Sequence, residues 1–553
     1  MTKHKKNFDP VREKTIKAQV IQFHDIWKKR MYLFPLSLIL VVTAILYSHA
    51  LHNDILSWDD HWHITYNADI HSLSVNNIKA IFTSYYSNMY HPLVTLMFAV
   101  EYQFFGLNPM VYHATNVLFH LANVVLVFFL VLRLSRRREI ALIAACLFGI
   151  HPMHVESVAW ITERKDVVYA LFYLFGLVSY VRYIQQEGKK YYWITLLFFL
   201  FSLLSKSTAI TFPIVLLLLD GYLDQKIKSR TIREKLPFFL LSIVFGIIAL
   251  HSQTETTSFE VFKQFNPLDR FFLASYSVCY YLIHFLLPIN LSALHSLPDK
   301  LQGLLPFEYY AAVIPIVLMI SLGFWKGVLQ REYIFGLTFF LVTISLNIHI
   351  IPFGKAIVAE RYSYIPYIGI YYLIGQLFCF FIDRYQVLLE RKRIILSVAL
   401  VIVMVLGYLT YERVGVWKNT LVLFHDASMK AKDSKEAAII QALGYVLEAE
   451  ERTNARKYSE AIELYDKAII LDSLRVESYS NRGIAKHCLE DYEGAMKDYS
   501  KAIELNPSFS RAYANRAAIY LLWNKSDEAC KDFHTAYNLG LYSVLPALQA
   551  YCP

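Results

Sequence analysis

The sequence contains a series of apolar runs, most of them about 15 to 20 residues long, that alternate with short clusters of Lys and Arg. A helix needs about 20 mainly apolar residues to cross the hydrocarbon core of a bilayer. Only 18% of the 553 residues are charged, whereas a soluble protein carries about 25%. The pattern therefore predicts an all-α fold in which a polytopic membrane helix bundle takes up most of the chain.

The basic clusters predict how this bundle is oriented. Residues 28–30 (Lys, Lys, Arg) precede the first apolar run, residues 31–50, so the basic N-terminus, residues 1–30, is expected in the cytoplasm. Residues 391–393 (Arg, Lys, Arg) precede the last run and are expected on the same side. Both clusters lie on the cytoplasmic side if residues 271–287 do not cross the membrane. This arrangement has about eleven spans and an exported C-terminus. If that segment crosses, there are about twelve.

Charge and cysteine usage exclude two kinds of function. Much of the net charge of +9 lies in the short clusters between apolar runs, where orientation requires it, so it does not indicate nucleic-acid binding. The six cysteines are scattered, without a CxxC pair or the spacing of metal ligands. The sequence therefore predicts neither a disulfide framework nor a zinc site.

After residue 417 the composition changes to charged, Ala-rich and Tyr-rich, and the chain repeats itself. The spacing is about 34 residues, which is typical of tetratricopeptide (TPR) helix pairs. The recurring positions are Tyr465, Tyr499 and Phe533; Ala468, Ala502 and Ala536; and Asn481-Arg482 with Asn515-Arg516. Residues 430–553 are therefore predicted to form an α-solenoid of about three repeats, the usual minimum for a stable stack. An unrelated helical bundle is the alternative.

Two adjacent carboxylates follow the first apolar run. Asp59 and Asp60 lie in the stretch Ser57-Trp58-Asp59-Asp60-His61-Trp62-His63. Ionised groups beside a bilayer must stay hydrated, paired or liganded. Paired carboxylates there suit general-base or metal-binding chemistry on a substrate held at the interface. An Asp N-cap followed by a solvated loop explains the same residues without chemistry.

Further polar residues recur where the predicted topology places the outer half of the membrane. Several lie at steps of three and four within the second span, residues 110–134, and so share one helix face. Such a stripe faces protein or a wet cavity, although interhelical hydrogen bonding explains any single member. The residues are His113, Asn116, His120 and Asn123; His151, His154 and Glu156; Glu163-Arg164-Lys165-Asp166; Lys206; and Glu360-Arg361-Tyr362.

Gathered around one outer cavity, these groups suit a substrate with an acceptor hydroxyl and an anionic leaving group. A carboxylate takes the hydroxyl proton, and the cations stabilise the departing phosphate. The alternative is that Glu163 with Arg164, and Glu360 with Arg361, are interfacial ion pairs that anchor helix ends.

These motifs, in this order, resemble the transmembrane and tetratricopeptide-repeat O-mannosyltransferases of animals and their bacterial relatives, within the GT-C glycosyltransferase superfamily. The resemblance covers nearly the whole chain after Arg30. Its motifs are Trp58-Asp59-Asp60, Tyr90-His91-Pro92-Leu93, His113-Ala114-Thr115-Asn116 with His120, His151-Pro152-Met153-His154-Val155-Glu156-Ser157-Val158, Arg164 to Asp166, Ala359-Glu360-Arg361-Tyr362 and the C-terminal repeats. Two departures are His91, where lipid A and protein glycosyltransferases of the superfamily have Pro, and the short repeat array.

The resemblance implies a GT-C-like domain, residues 31–415, whose first outer loop carries the acidic motif. Such enzymes pass a sugar, here mannose-like, from a polyprenyl-phosphate carrier to an acceptor hydroxyl on the non-cytoplasmic side. Asp59 or Asp60 is then the general base. The donor phosphate would be held by Arg164, Lys165, Lys206 and Arg361. The substrate pocket would be lined by His91, His113, Asn116, His120, His151, His154, Glu156, Glu360 and Tyr362.

The sequence therefore predicts an inverting membrane glycosyltransferase of the bacterial inner membrane, with a protein acceptor or partner at periplasmic repeats. Its donor is a lipid-linked sugar, and whether a divalent cation joins the carboxylates is left open. A non-catalytic scaffold for envelope glycan or protein assembly is the alternative of another class. A transporter is disfavoured, because the membrane part lacks paired inverted halves.

Overall fold

The computed structural model describes residues 32–223, 229–252, 264–324, 329–348, 350, 356–384 and 392–552. The predicted cytoplasmic N-terminus, residues 1–30, and the basic residue Arg391 lie outside the described residues. Within the described part the elements are helices, joined by loops with isolated β-bridges, and no strand is formed. The predicted all-α class is confirmed.

The α-helices are numbered in chain order. They are α1 Leu33–Tyr47, α2 Val75–Thr83, α3 Pro92–Phe105, α4 Pro109–Ser135, α5 Arg138–Ile150, α6 Val155–Ala159, α7 Arg164–Ile184, α8 Lys190–Leu203, α9 Phe212–Tyr222, α10 Ser229–Arg233, α11 Leu236–Ser252, α12 Pro267–Leu286, α13 Phe307–Ala311, α14 Val313–Gly323, α15 Gln330–Ile344, α16 Tyr367–Arg384, α17 Lys392–Val416, α18 Thr420–Ser428, α19 Ser434–Asn454, α20 Tyr458–Leu471, α21 Val476–Cys488, α22 Tyr492–Leu505, α23 Ser510–Leu522, α24 Ser526–Asn538 and α25 Leu545–Tyr551.

The described residues form two compact units. The first comprises the described parts of Met1–Asp54 and Trp62–Trp417, and the second comprises Ile55–His61 and the described part of Lys418–Pro553. Residues Ile55–His61, called the acidic segment below, thus group with the C-terminal repeats although they lie early in the chain.

In the first unit, five helical stretches of the described chain are long and apolar enough to cross a membrane, and a pair bent by 60° makes a sixth. The five are Leu33–His52, Pro109–Ser135, Arg164–Ile184, Thr231–Ser252 and Arg393–Val416, and the bent pair is Arg138–Ile150 with Pro152–Ala159. Four shorter apolar helices accompany them. Residues 271–287, which decide between about eleven and about twelve spans, lie almost wholly in α12, and α12 is not among these candidates. About eleven crossings therefore stays a prediction.

The last candidate span shows why these helices belong in lipid. Val398, Val401 and Val405 of α17 are each more than half exposed although they are apolar. Exposed apolar surface of this extent is stable against hydrocarbon and not against water, and the backbone of a helix satisfies its own hydrogen bonds there. The chain is an integral membrane protein.

Helix α4 carries the predicted polar stripe through the interior of the first unit. The side chain of Asn108 caps its start by accepting the N–H of Met110 at 3.2 Å, and Pro109 occupies its first position. The helix packs against α1, α5 and α7, and its polar face is buried. The buried members are His113, Asn116, His120 and Asn123.

The second unit confirms the predicted helix-pair repeats. The recurring aromatic residues Tyr465, Tyr499 and Phe533 are buried between successive helices, as stacking of repeats requires. The recurring arginines also have a common role. Arg482 donates to both oxygens of Asp498, at 2.9 and 2.6 Å, and Arg516 makes the same pair of bonds to Asp532.

One prediction from composition is wrong for the second unit. Cys530 in α24 and Cys552 after α25 are joined by a disulfide, with Cα atoms 5.4 Å apart. The chain folds back at the end of the array, so that cysteines 22 residues apart in sequence meet. These two cysteines do not lie in a short spacing motif, and they do not belong to a set of several cysteine pairs. The sequence pattern therefore did not predict this disulfide.

Candidate functional site

Most of the charged residues predicted at the outer surface form one buried cluster in the first unit. Glu163, in the turn before α7, lies at its centre. Its carboxylate is 3.2 Å from the Nζ of Lys165, 3.7 Å from the Nζ of Lys206 and 3.4 Å from the Nε of Arg361. The structure thus brings three of the four predicted phosphate-binding cations together around one carboxylate.

Two further carboxylates complete this cluster. Asp166 accepts from the Nζ of Lys206 at 2.5 Å. Glu156 accepts from the backbone N–H of Arg361 at 2.9 Å and from its guanidinium. The three carboxylates balance the three cations, which is what allows so many charges to be buried together.

The cluster is assembled from separate parts of the chain. Glu156 is in α6, Glu163 and Asp166 flank the start of α7, and Lys206 precedes the short helix Ser207–Thr211. Carboxylates at the start of α7 are favoured there by the partial positive charge of a helix N-terminus. Arg361 lies in the short helix Glu360–Ser363.

Burial alone would favour the neutral form of Glu163. The ammonium groups of Lys165 and Lys206 and the guanidinium of Arg361 outweigh it and hold the pKa of this carboxyl well below its usual range. Burial opposes the charge of Arg361 too, but Glu156 raises the pKa of the guanidinium well above its usual value. Both groups are therefore ionised at neutral pH.

Two cations form the accessible edge of the cluster. The side chain of Arg361 is 18% exposed and that of Lys206 is 13% exposed, against 4% for Lys165. Tyr362 joins them, since its ring lies 5.0 Å from the Arg361 guanidinium carbon and 5.9 Å from the Lys206 Nζ. The Nη1 and Nε of Arg361 face Glu156 and Glu163, and the described residues offer Nη2 no hydrogen bond.

Arg164, the fourth predicted cation, is not part of this cluster. Its guanidinium is fully buried and bonded to Glu101, to the Oδ1 of Asn116 at 2.8 Å and to the carbonyl of Tyr112 at 2.7 Å. Phe98 lies against its plane, 4.5 Å away. Arg164 and Asn116 thus fasten α3, α4 and α7 to one another.

Three predicted pocket histidines are bonded inside the protein. The His120 Nδ1 lies 2.7 Å from the Tyr364 hydroxyl, and the His154 Nε2 lies 2.8 Å from the Tyr371 hydroxyl. His151 is engaged in the same way, by a backbone carbonyl 3.1 Å from its Nε2. These contacts hold helices together. The sequence motifs did not single out the two tyrosines that bond these histidines.

Two further predicted pocket residues, Glu360 and His113, are also internal. Glu360 is fully buried and paired with Arg413 of α17 at 2.9 Å, so it does not line the cationic edge. His113 is 1% exposed on the buried face of α4.

His91 belongs with the cluster, and so does His63, which was not among the predicted pocket residues. Their ring centres are 5.0 Å apart, and the Oγ1 of Thr95 lies 3.1 Å from the His91 Nδ1. Burial and the nearby charge of Lys165 lower the pKa of His91 to about 3. Burial, together with the neighbouring His91 and Lys165, keeps the pKa of His63 well below its usual value. Both imidazoles are neutral, and no described residue bonds to either Nε2.

The paired carboxylates differ in their surroundings. Asp60 is fully buried, and its Oδ2 accepts the backbone N–H of Leu56 at 3.1 Å. Asp59 is half-buried. Both belong to the acidic segment in the second unit. In the described part of the chain, no three His, Cys, Asp or Glu side chains are placed to hold a metal ion.

Most residues of the cluster lie in a region that is similar to a known protein family. Residues 91–252 match the family described as "Dolichyl-phosphate-mannose-protein mannosyltransferase", and residues 476–509 and 499–531 match tetratricopeptide repeats. The mannosyltransferase match includes Glu163, Lys165 and Lys206.

Several curated proteins are similar over part of the chain. Protein O-mannosyl-transferase TMTC1 of Mus musculus is 31% identical over 154 residues, which are 26% of this chain and 16% of the mouse protein. Protein O-mannosyl-transferase tmtc2 of Xenopus laevis is 34% identical over 175 residues, 29% of this chain and 21% of that protein. The resemblance to transmembrane O-mannosyltransferases with TPR repeats is confirmed.

A solved structure is similar over a longer stretch but more weakly. It is an Archaeoglobus fulgidus oligosaccharyltransferase tethered with an acceptor peptide, 12% identical, with a TM-score of 0.41 over 79% of this chain and 59% of that one. At that score the likeness supports no argument about fold.

Proposed function

We propose that this protein transfers a mannose-like sugar from a polyprenyl-phosphate carrier to a hydroxyl group of a protein acceptor. The observation that carries the proposal is the cationic edge formed by Lys206 and Arg361. It combines largely buried positive charge with side chains that remain partly exposed, and the Glu163 cluster behind it belongs largely to the region similar to mannosyltransferases.

The edge suits the charge that develops in such a reaction. The acceptor oxygen bonds to the anomeric carbon of the sugar, and the bond from that carbon to the phosphate oxygen breaks. The electron pair goes to the phosphate, whose charge changes from −1 towards −2. Fixed cations that face this oxygen stabilise the transition state more than the donor. The planar fork of Arg361 fits phosphate oxygens, and Lys206 adds a point charge.

The acceptor proton needs a base, and Asp59 is the better candidate of the pair. It is half-buried and accessible, whereas Asp60 is fully buried and accepts a backbone N–H within its own segment. Asp59 then takes the proton as the new bond forms, while Asp60 keeps the segment in shape. No step of the proposal depends on a divalent cation at these carboxylates.

The neutral pair His63 and His91 suits the sugar itself. Neutral imidazoles exchange hydrogen bonds with hydroxyl groups without adding charge, and a buried polar nitrogen without a partner is costly until it finds one. Both unbonded Nε2 atoms lie in the neighbourhood of Lys165, which belongs to the cluster.

The test is transfer itself. Membranes containing the chain are expected to move radiolabelled mannose from a polyprenyl-phosphate donor to protein, and membranes without it are not. A nucleotide-linked mannose supplied instead is expected to give no direct transfer. Absence of transfer from every lipid-linked sugar tried would leave the non-catalytic scaffold as the better account.

We also propose that the repeats face the periplasm of a bacterial cell and bind the acceptor or a partner protein. The basic clusters predict an exported C-terminus. The disulfide of Cys530 and Cys552 agrees, because disulfides persist in oxidising compartments and are rare in a reducing cytosol.

Thiol labelling tests this orientation. Cys488 is exposed and free in the same unit, so it serves as an internal control for access. We expect a membrane-impermeant maleimide to label Cys488 in intact spheroplasts and to label Cys530 and Cys552 only after reduction. If Cys488 is labelled only after the membrane is permeabilised, the repeats are cytoplasmic and the proposed orientation is wrong.

A further inference from the structure

The acidic segment is attached at both ends to the first helices of the second unit. Before the carboxylates, the backbone N–H of Ser57 donates to the Thr420 Oγ1 at 2.8 Å, and its hydroxyl donates to the Glu451 Oε2 at 2.5 Å. After them, the His61 Nε2 lies 3.7 Å from the same Glu451 oxygen. The attachment therefore brackets Asp59 and Asp60.

The attachment is buried on the side of the acidic segment and at Thr420, whereas the side chain of Glu451 is 39% exposed. Thr420 is 1% exposed, Ser57 is 2% exposed and His61 is 7% exposed. Trp58 packs its ring against Phe424 of α18, with ring centres 5.5 Å apart. The hydrogen bond between Ser57 and Thr420 is buried, and a buried hydrogen bond fixes a loop more firmly than a solvent-exposed one.

Glu451 is suited to hold both ends because it is charged. The nearby His61 imidazole lowers the pKa of this carboxyl, burial opposes the shift, and the Ser57 hydroxyl adds to it, so that the pKa lies below its usual value. The side chain is thus a carboxylate at neutral pH, and a charged acceptor makes the stronger hydrogen bond.

We propose that Glu451 and Thr420 are positioning residues that hold the Asp59–Asp60 segment in its reactive conformation. The inference rests on the proposed role of these carboxylates as base and support. It makes the helices at the start of the repeat unit a part of the catalytic apparatus and not only a docking surface.

The change Thr420→Val tests this most cleanly. Valine keeps the shape and removes the acceptor for the Ser57 N–H, while the N-cap of α18 stays intact because Asn419 supplies it. Displacement of a catalytic group by about 1 Å can cost about 100-fold, so we expect kcat for transfer to fall by about 10-fold with the donor KM unchanged. Thr420→Ser keeps the hydroxyl and is expected to restore the wild-type rate.

Glu451→Gln is the second variant, with Glu436→Gln as its control on the same helix. Glu436 accepts the N–H of Lys432 at the start of α19. We expect Glu451→Gln to lower kcat and Glu436→Gln to leave it unchanged. Both proteins should show the same thermal unfolding of the repeats.

The rate of amide hydrogen exchange shows directly whether the acidic segment is held in place. The amide of Leu56 donates to Asp60, so release of the segment should speed exchange in a peptide covering Ile55–His61 in Thr420→Val and Glu451→Gln, and not in the controls. Faster exchange with an unchanged kcat would overturn the inference, as would unchanged exchange. If Asp59→Asn and Asp60→Asn both transfer at the wild-type rate, the proposed function itself fails at this site, and those two variants reveal it separately.

Discussion

Replacing Asp59 by Asn is expected to abolish sugar transfer while the protein still folds. An acceptor hydroxyl is a poor nucleophile until its proton is removed as the bond forms, and a positioned carboxylate contributes about 10² to 10⁴-fold by removing it. Asn keeps the shape and loses the basicity, so the loss should appear in kcat. The measurement is transfer from radiolabelled polyprenyl-phosphate mannose in membranes, normalised to the amount of folded protein.

Asp60→Asn and Asp54→Asn are the companions of this variant. Asn at position 60 can still accept the Leu56 N–H, so we expect a smaller loss than at position 59. Asp54 is an exposed carboxylate six residues before Asp60 and is expected to be dispensable. Wild-type transfer by a double Asp59→Asn, Asp60→Asn variant would remove the acidic pair from the chemistry and favour the scaffold function.

The sequence predicted best what depends on periodicity. Apolar runs and the 34-residue repeat are properties of whole segments, and packing has few ways to override them. For this reason the recurring Tyr465, Tyr499 and Phe533 are buried as the alignment required. The disulfide of Cys530 and Cys552 depends instead on where the last helix folds back, which no local pattern encodes.

Within the candidate site, the sequence could identify the motif but not the direction of each side chain. Arg164 and Lys165 are adjacent, and successive residues of a helix point about 100° apart. One therefore bonds Glu101 and Asn116, while the other joins Glu163. The motif contains both residues and gives no rule for choosing between them.

The sequence motifs could not identify residues that bond or position other residues of the site. His120 and His154 looked like pocket residues because they are polar within a membrane segment, but the hydroxyls of Tyr364 and Tyr371 bond the His120 Nδ1 and the His154 Nε2. Glu451 lies in the first helix of the repeat region, far from the acidic segment in sequence. Only the tertiary structure shows that the two meet.

Arg361→Lys is expected to weaken donor binding by about 10- to 100-fold without unfolding the protein. Hydrogen bonds to charged groups contribute about 1.5 to 3 kcal/mol, and Lys keeps the charge but loses the planar fork. Retaining the charge matters, because leaving Glu156 and Glu163 unbalanced in the cluster would cost about 3 to 5 kcal/mol of stability. Arg361→Ala would confuse binding with folding for that reason.

The measurement should compare a polyprenyl-phosphate analogue with the same polyprenol lacking its phosphate. In the wild type the phosphate should raise affinity, and in Arg361→Lys most of that gain should disappear while binding of the polyprenol stays the same. Arg133→Lys is the matched control, since Arg133 bonds Glu187 and Gln185 at the basic end of α4, away from the cluster. If Arg361→Lys and the wild type gain equally from the phosphate, the guanidinium serves only to balance the buried carboxylates, and the donor phosphate must bind elsewhere.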